Sequence, residues 1–137
     1  MASIAQNKSI LLVEEDREIA LSIKLQLELA GFQVEAFTNP AMALDEYRRN
    51  PSGYGLVISD MKMISMSTFE FMRAVRAENS NSKILLITQF EIKPNEFSKV
   101  LPTSKVDGFV QRPLLSTRLV PSVIDILESS SSENLKP

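Results

Sequence analysis

The sequence predicts an α/β fold, a doubly wound five-stranded parallel sheet with helices on both faces. Two observations lead there. Strand-like apolar runs recur along the chain, beginning near Ile10, Phe32, Leu56, Ile84 and Val106. Three of them, Ile10-Leu11-Leu12-Val13, Leu56-Val57-Ile58 and Ile84-Leu85-Leu86-Ile87, are continuous rather than alternating. Strands buried on both faces read that way, and the intervening stretches are long enough for right-handed helical crossovers.

Each element has its own signal. After the first strand, a helix is expected from Asp16, with Ile19, Ile23 and Leu27 on one face and Leu21, Leu25 and Leu29 on another, ending at Gly31. The run Phe32-Gln33-Val34-Glu35-Ala36-Phe37 alternates more and suits an edge strand. Thr38-Asn39-Pro40 announces the second helix, a cap followed by proline at the first helical position. Ser67-Thr68-Phe69-Glu70 fits a capping box and opens the third, which carries Phe71, Met72 and Val75. A fourth, around Pro94 to Leu101, has a short apolar face of Phe97, Val100 and Leu101. The fifth holds Leu119, Val120, Val123, Ile124 and Leu127. Pro121 within it implies a late start or a distorted first turn. Residues 1–7 read as an N-terminal extension, 8–128 as one domain, and 129–137 as a Ser-rich disordered tail.

Composition narrows the chemistry. The chain has 137 residues, no Cys and no His, with 15 Lys+Arg against 17 Asp+Glu. Thiol nucleophiles, disulfides, imidazole bases and Zn sites of Cys or His are excluded. A net charge of −2 gives no basic footprint for nucleic acid. The first residues do not form a signal peptide, and no apolar run could span a bilayer, so a cytoplasmic protein is expected. The four glycines form no Gly-rich turn after the first strand, which disfavours a nucleotide- or flavin-binding protein.

In open α/β sheets, ligands bind beyond the carboxyl ends of the strands. There the chain places Glu14-Glu15-Asp16, Ser59-Asp60, Thr88 and Gln111-Arg112-Pro113. Taken singly, each has a structural reading. Acids suit a helix N-terminus, Asp60 a turn, Thr88 a strand and Arg112 a solvated loop. Taken together, clustered carboxylates invite a hard cation such as Mg²⁺, and a hydroxyl with a guanidinium suits phosphate oxygens.

This ordered set resembles the receiver domain of response regulators, over residues 8–128. It rests on Ile10-Leu11-Leu12-Val13-Glu14-Glu15-Asp16, Leu56-Val57-Ile58-Ser59-Asp60-Met61-Lys62-Met63, Leu85-Leu86-Ile87-Thr88 and Gly108-Phe109-Val110-Gln111-Arg112-Pro113. Thr88-Gln89-Phe90-Glu91, with Glu96-Phe97, is also similar to single-domain archaeal receivers. The resemblance implies a flavodoxin-like (βα)5 fold and a stand-alone, non-enzymatic regulator of two-component phosphorelay signalling. It implies Asp60 as phosphoacceptor, served by Thr88 and Arg112. It implies Mg²⁺ held by Glu15, Asp60 and the Lys62 backbone carbonyl, with Glu14 acting through water, and a switch of Thr88 and Phe109. The implied partners are a histidine kinase or phosphotransfer protein, a downstream protein, and a second copy bound through the fourth helix, fifth strand and fifth helix. Neither direct nucleic-acid binding nor a membrane is implied. With no His, the phosphohistidine must belong to another molecule.

The chain departs from the family pattern in places. Arg112 stands where the family has Lys, Glu15 where Asp is common, and Ile64-Ser65-Met66-Ser67-Thr68 where Pro and Gly are usual. Gln89 is bulky where a small residue is usual, and Lys62 is a cation beside the acids. The alternative is therefore a degenerate pseudo-receiver that binds partners without phosphorylation.

Overall fold

The structure, a computed structural model, describes the backbone of residues 9–89 and 106–135, with side chains except at 114 and 130–135. The chain runs β1 (Ser9–Val13), α1 (Arg17–Leu29), β2 (Gln33–Phe37), α2 (Pro40–Arg49), β3 (Tyr54–Asp60), α3 (Thr68–Glu78), β4 (Ile84–Thr88), β5 (Gly108–Gln111) and α4 (Leu115–Leu135). Short 3-10 turns at Pro51–Gly53 and Arg112–Leu114 lead into β3 and α4. The five strands form one parallel sheet in the order β2-β1-β3-β4-β5. β2 is an edge strand, as its alternation predicts, and β5 is the other edge. The expected fourth helix lies outside the described residues, so α4 is the fifth helix of the sequence reading.

Strand alternation divides the core into two layers. Ile10, Leu12, Ile58, Leu85, Ile87 and Val110 face α1 and α4, meeting Ile23, Leu27, Leu119 and Val123. Leu11, Val13, Val57, Ile84 and Leu86 face α2 and α3, meeting Leu44, Tyr47, Phe71 and Val75. Each such side chain stabilises the fold by roughly 1.5–3 kcal/mol relative to exposure.

The helix ends follow local chemistry. Asp16 Oδ1 accepts from the N–H groups of Glu18 and Ile19, capping α1. At its other end Gly31 adopts φ 100°. The Gly31 N–H donates to Glu28 O and the Phe32 N–H to Leu27 O, both at 3.0 Å, a Schellman ending. Asn39 caps α2 with Pro40 at its start, and Ser67 Oγ accepts from the Glu70 N–H at 3.0 Å.

Two expectations about the last helix need correcting. Pro121 neither delays nor bounds α4, which is already under way at Leu115. The Leu115 N–H donates back to Arg112 O, so helical backbone is established before Pro121 arrives with a compatible φ. The helix also continues to Leu135, into the stretch 129–137 expected to be a tail. No Pro or Gly stands between Ser122 and Leu135 to stop it.

Candidate functional site

The polar residues at the ends of β1, β3 and β5 converge because each lies two positions beyond a core residue of the α1/α4 side. Glu14 follows Leu12, Asp60 follows Ile58, and Arg112 follows Val110. β1 keeps its alternation one step past its end, since the Glu14 N–H still donates to Phe37 O at 3.0 Å. Glu14 and Asp60 are 1% and 2% exposed. Arg112 Nη2 donates to Asp60 Oδ2 at 2.7 Å and to Glu14 Oε1 at 3.1 Å. Glu14 Oε2 accepts the Asp16 N–H at 2.9 Å, and Asp60 Oδ1 accepts the Lys62 N–H at 3.3 Å.

Burial pushes the Glu14 carboxyl up to about 7, with the Asp60 charge adding to the rise; the Asp16 N–H and the Arg112 guanidinium oppose it. Glu15 falls on the other side of the strand alternation and behaves differently. Its Oε1 accepts the Ile64 N–H at 2.6 Å and its Oε2 accepts the Ser65 N–H at 2.9 Å. These bonds hold its carboxyl below the usual range.

Glu14, not Glu15, lies beside Asp60, and Glu15 is committed to the loop after β3. Among the described residues no trio of acids is placed to hold a metal ion. With a guanidinium seated on both buried carboxylates, the donor set as arranged does not fit Mg²⁺.

Thr88 is buried at the end of β4, register partner of Gln111, the residue before Arg112. Phe109 pairs with Leu86 and shares the α2/α3 side with Thr88, half-buried against that layer. Lys62 and Gln89 are exposed, and Lys62 contributes its backbone N–H rather than its charge. Residues 90–97 of the second resemblance lie outside the described residues.

Sequence reasoning missed Thr68. It is buried at the start of α3, its Oγ1 lying 2.8 Å from Asp60 O and 2.9 Å from Met61 O. The hydroxyl ties the end of β3 to α3. The signal was present, a hydroxyl eight residues after Asp60, but the capping motif accounted for it.

A family model for the response regulator receiver domain matches residues 10–124. The chain belongs to the receiver family. This receiver is 29% identical over 123 residues to the regulatory protein VanRB of Enterococcus faecalis, covering 90% of this chain and 54% of the relative. It is 32% identical over 83 residues to the response regulator receiver protein CpdR of Brucella abortus, covering 61% of this chain and 68% of that one. The receiver spans only 24–54% of the length of the first curated relatives it matches. Among solved structures, a CheY-like receiver of Methanospirillum hungatei superposes with a TM-score of 0.76 at 24% identity, over 92% of this chain and 98% of that one. The fold is thus the flavodoxin-like receiver fold. Receivers are signalling modules of two-component systems in which phospho-aspartate and Mg²⁺ are typical.

Proposed function

We propose that this receiver accepts a phosphoryl group on Asp60 from a phosphohistidine of a histidine kinase or phosphotransfer protein, and signals by altered protein–protein binding. The observation that carries it is the setting of Asp60. Its carboxylate ends the central strand β3, is buried, and has a cation and a backbone N–H on its two oxygens. Attack by a carboxylate oxygen forms the phosphorus–oxygen bond as the phosphorus–nitrogen bond breaks, and imidazole leaves with the electron pair. Catalysis of such a transfer is largely positioning and charge neutralisation. Arg112 supplies a positive charge beside the acceptor and Thr88 the hydroxyl for a phosphoryl oxygen. Phe109, on Thr88's side of the sheet, is the companion side chain that responds.

The functional unit is residues 8–128, acting in the cytoplasm without enzymatic turnover of its own. No helix among the described residues is long and apolar enough to cross a membrane. Dimerisation through the fourth helix, β5 and α4 is one route to output, and nucleic acid is reached only through a partner.

Intact-mass measurement after incubation with acetyl phosphate, with and without Mg²⁺, tests the reading. One added phosphoryl group, lost in Asp60→Asn, is the expected result. An unmodified mass under conditions that label ordinary receivers would overturn it and leave the phosphorylation-independent alternative.

A further inference from the structure

We propose that Thr68 is a positioning residue for Asp60: its hydroxyl, together with that of Ser59, fixes the peptide unit that follows Asp60 and so holds the acceptor carboxylate in one place. The proposal rests on the reading of Asp60 as the phosphoryl acceptor.

Three observations carry it. First, the Asp60–Met61 peptide is held from both sides. Its N–H donates to Ile87 O at 2.8 Å, which carries the β3–β4 ladder one step past Asp60. Its carbonyl oxygen lies 2.8 Å from Thr68 Oγ1 and 3.0 Å from Ser59 Oγ, both hydroxyl donors. Second, Ser59 and Thr68 are both buried, where a hydrogen bond left unmade costs the full desolvation of its partner. Third, α3 does not need the Thr68 hydroxyl for its own start. Ser67 already caps the helix, accepting the Glu70 N–H on Oγ and the Phe71 N–H on its carbonyl, both at 3.0 Å. Thr68 Oγ1 turns toward β3 instead, 2.9 Å from Met61 O as well as 2.8 Å from Asp60 O.

The orientation of that peptide sets ψ at Asp60, and the backbone dihedrals decide which side-chain rotamers are open. With ψ fixed, the carboxylate stays where the Lys62 N–H reaches Oδ1 at 3.3 Å and Arg112 Nη2 reaches Oδ2 at 2.7 Å. Attack on phosphorus demands such placement, since moving a reacting atom by about 1 Å can slow a reaction by on the order of 100-fold. Thr68 belongs to the stretch 64–68 in which this chain replaces the usual Pro and Gly, residues without a hydroxyl.

Three variants of the full chain test the proposal. Thr68→Val keeps the shape and removes the hydroxyl, and Thr68→Ser keeps the hydroxyl. Ser67→Ala weakens the start of α3 without touching the β3 carbonyls. Labelling by acetyl phosphate at one fixed concentration is timed by intact mass. Thr68→Val should label about five-fold more slowly, the rate equivalent of one hydrogen bond, with Thr68→Ser and Ser67→Ala within about two-fold of wild type. In the unphosphorylated proteins, the carboxyl carbon resonance of Asp60 should shift in Thr68→Val and hold its place in the other two. A wild-type rate or an unmoved resonance in Thr68→Val overturns the proposal. So does equal slowing in Ser67→Ala, which would make the effect one of helix stability, or in Thr68→Ser, which would make it one of packing. Should wild type accept no phosphoryl group, the acceptor reading fails by itself and the resonance alone decides whether Thr68 places the carboxylate. Should Thr68→Val not fold by circular dichroism, Thr68→Ala takes its place under the same criteria.

Discussion

Buried beside Asp60 and Arg112, Glu14 takes up a proton on folding wherever the solvent pH lies between its ordinary value of 4.5 and about 7. In that window the folded chain holds more protons than the unfolded one, so stability falls as pH rises. The contribution is complete below 4.5 and is lost once pH passes about 7. Its size is on the order of 3 kcal/mol. Glu14→Gln should flatten this slope, read as urea midpoints at pH 5 and pH 7.5; an unchanged slope would place the titration elsewhere. Glu15 works in the opposite sense, its lowered value favouring the folded state above 4.5 and losing that support in acid. The sequence offered two adjacent glutamates without saying which faces Asp60. Strand alternation decides it: Glu14 shares a side with Leu12, and Glu15 with Val13. The same rule selects Asp60 and Arg112, so the cluster was legible once period two was followed past the strand ends. Thr68 was not legible in that way, because its bonds to Asp60 O and Met61 O depend on how closely α3 packs under β3.

α1 carries two leucine- and isoleucine-rich stripes at helical spacing, and pattern alone could not rank them. The structure buries Ile23 and Leu27 fully and leaves Leu21, Leu25 and Leu29 at 56%, 50% and 89% exposure. Only one stripe can meet the sheet, and Gly31 and Phe32 set the choice by ending α1 so that Leu27 lies over the core. Ile23→Ala is therefore expected to cost about 2–5 kcal/mol. Leu25→Lys should stay within about 0.5 kcal/mol. Thermal or urea unfolding of the pair checks both, and a large loss in Leu25→Lys would mean that the outer stripe is covered. Other elements were readable in advance where a single residue controls the ending, as with Asp16, Gly31, Asn39-Pro40 and Ser67. The late helix start that Pro121 suggested does not occur, because Arg112–Leu114 has already begun the helical turn, which the sequence alone does not reveal.

Across the whole molecule, the strand order puts β1 and β3 side by side at the point where the chain changes direction along the sheet. Glu14 and Asp60 stand at that junction, where open α/β sheets place their ligands. Arg112 comes from the far edge and is anchored there by β5 and α4. If its ion pairs help hold that edge, removing them in Arg112→Gln should speed hydrogen exchange of the β5 amides of residues 108–111. The strands β1 and β3 should keep their protection, and uniform loss across all strands would mean global destabilisation instead. The paired contacts of Arg112 also close very long loops, joining positions 98 and 52 residues apart. In a chain without a single cysteine, this is the nearest thing to a staple between the first and last strands. Unlike a sulfur bridge it is ionic, so its strength depends on the surrounding salt, and it can part and re-form without breaking a covalent bond.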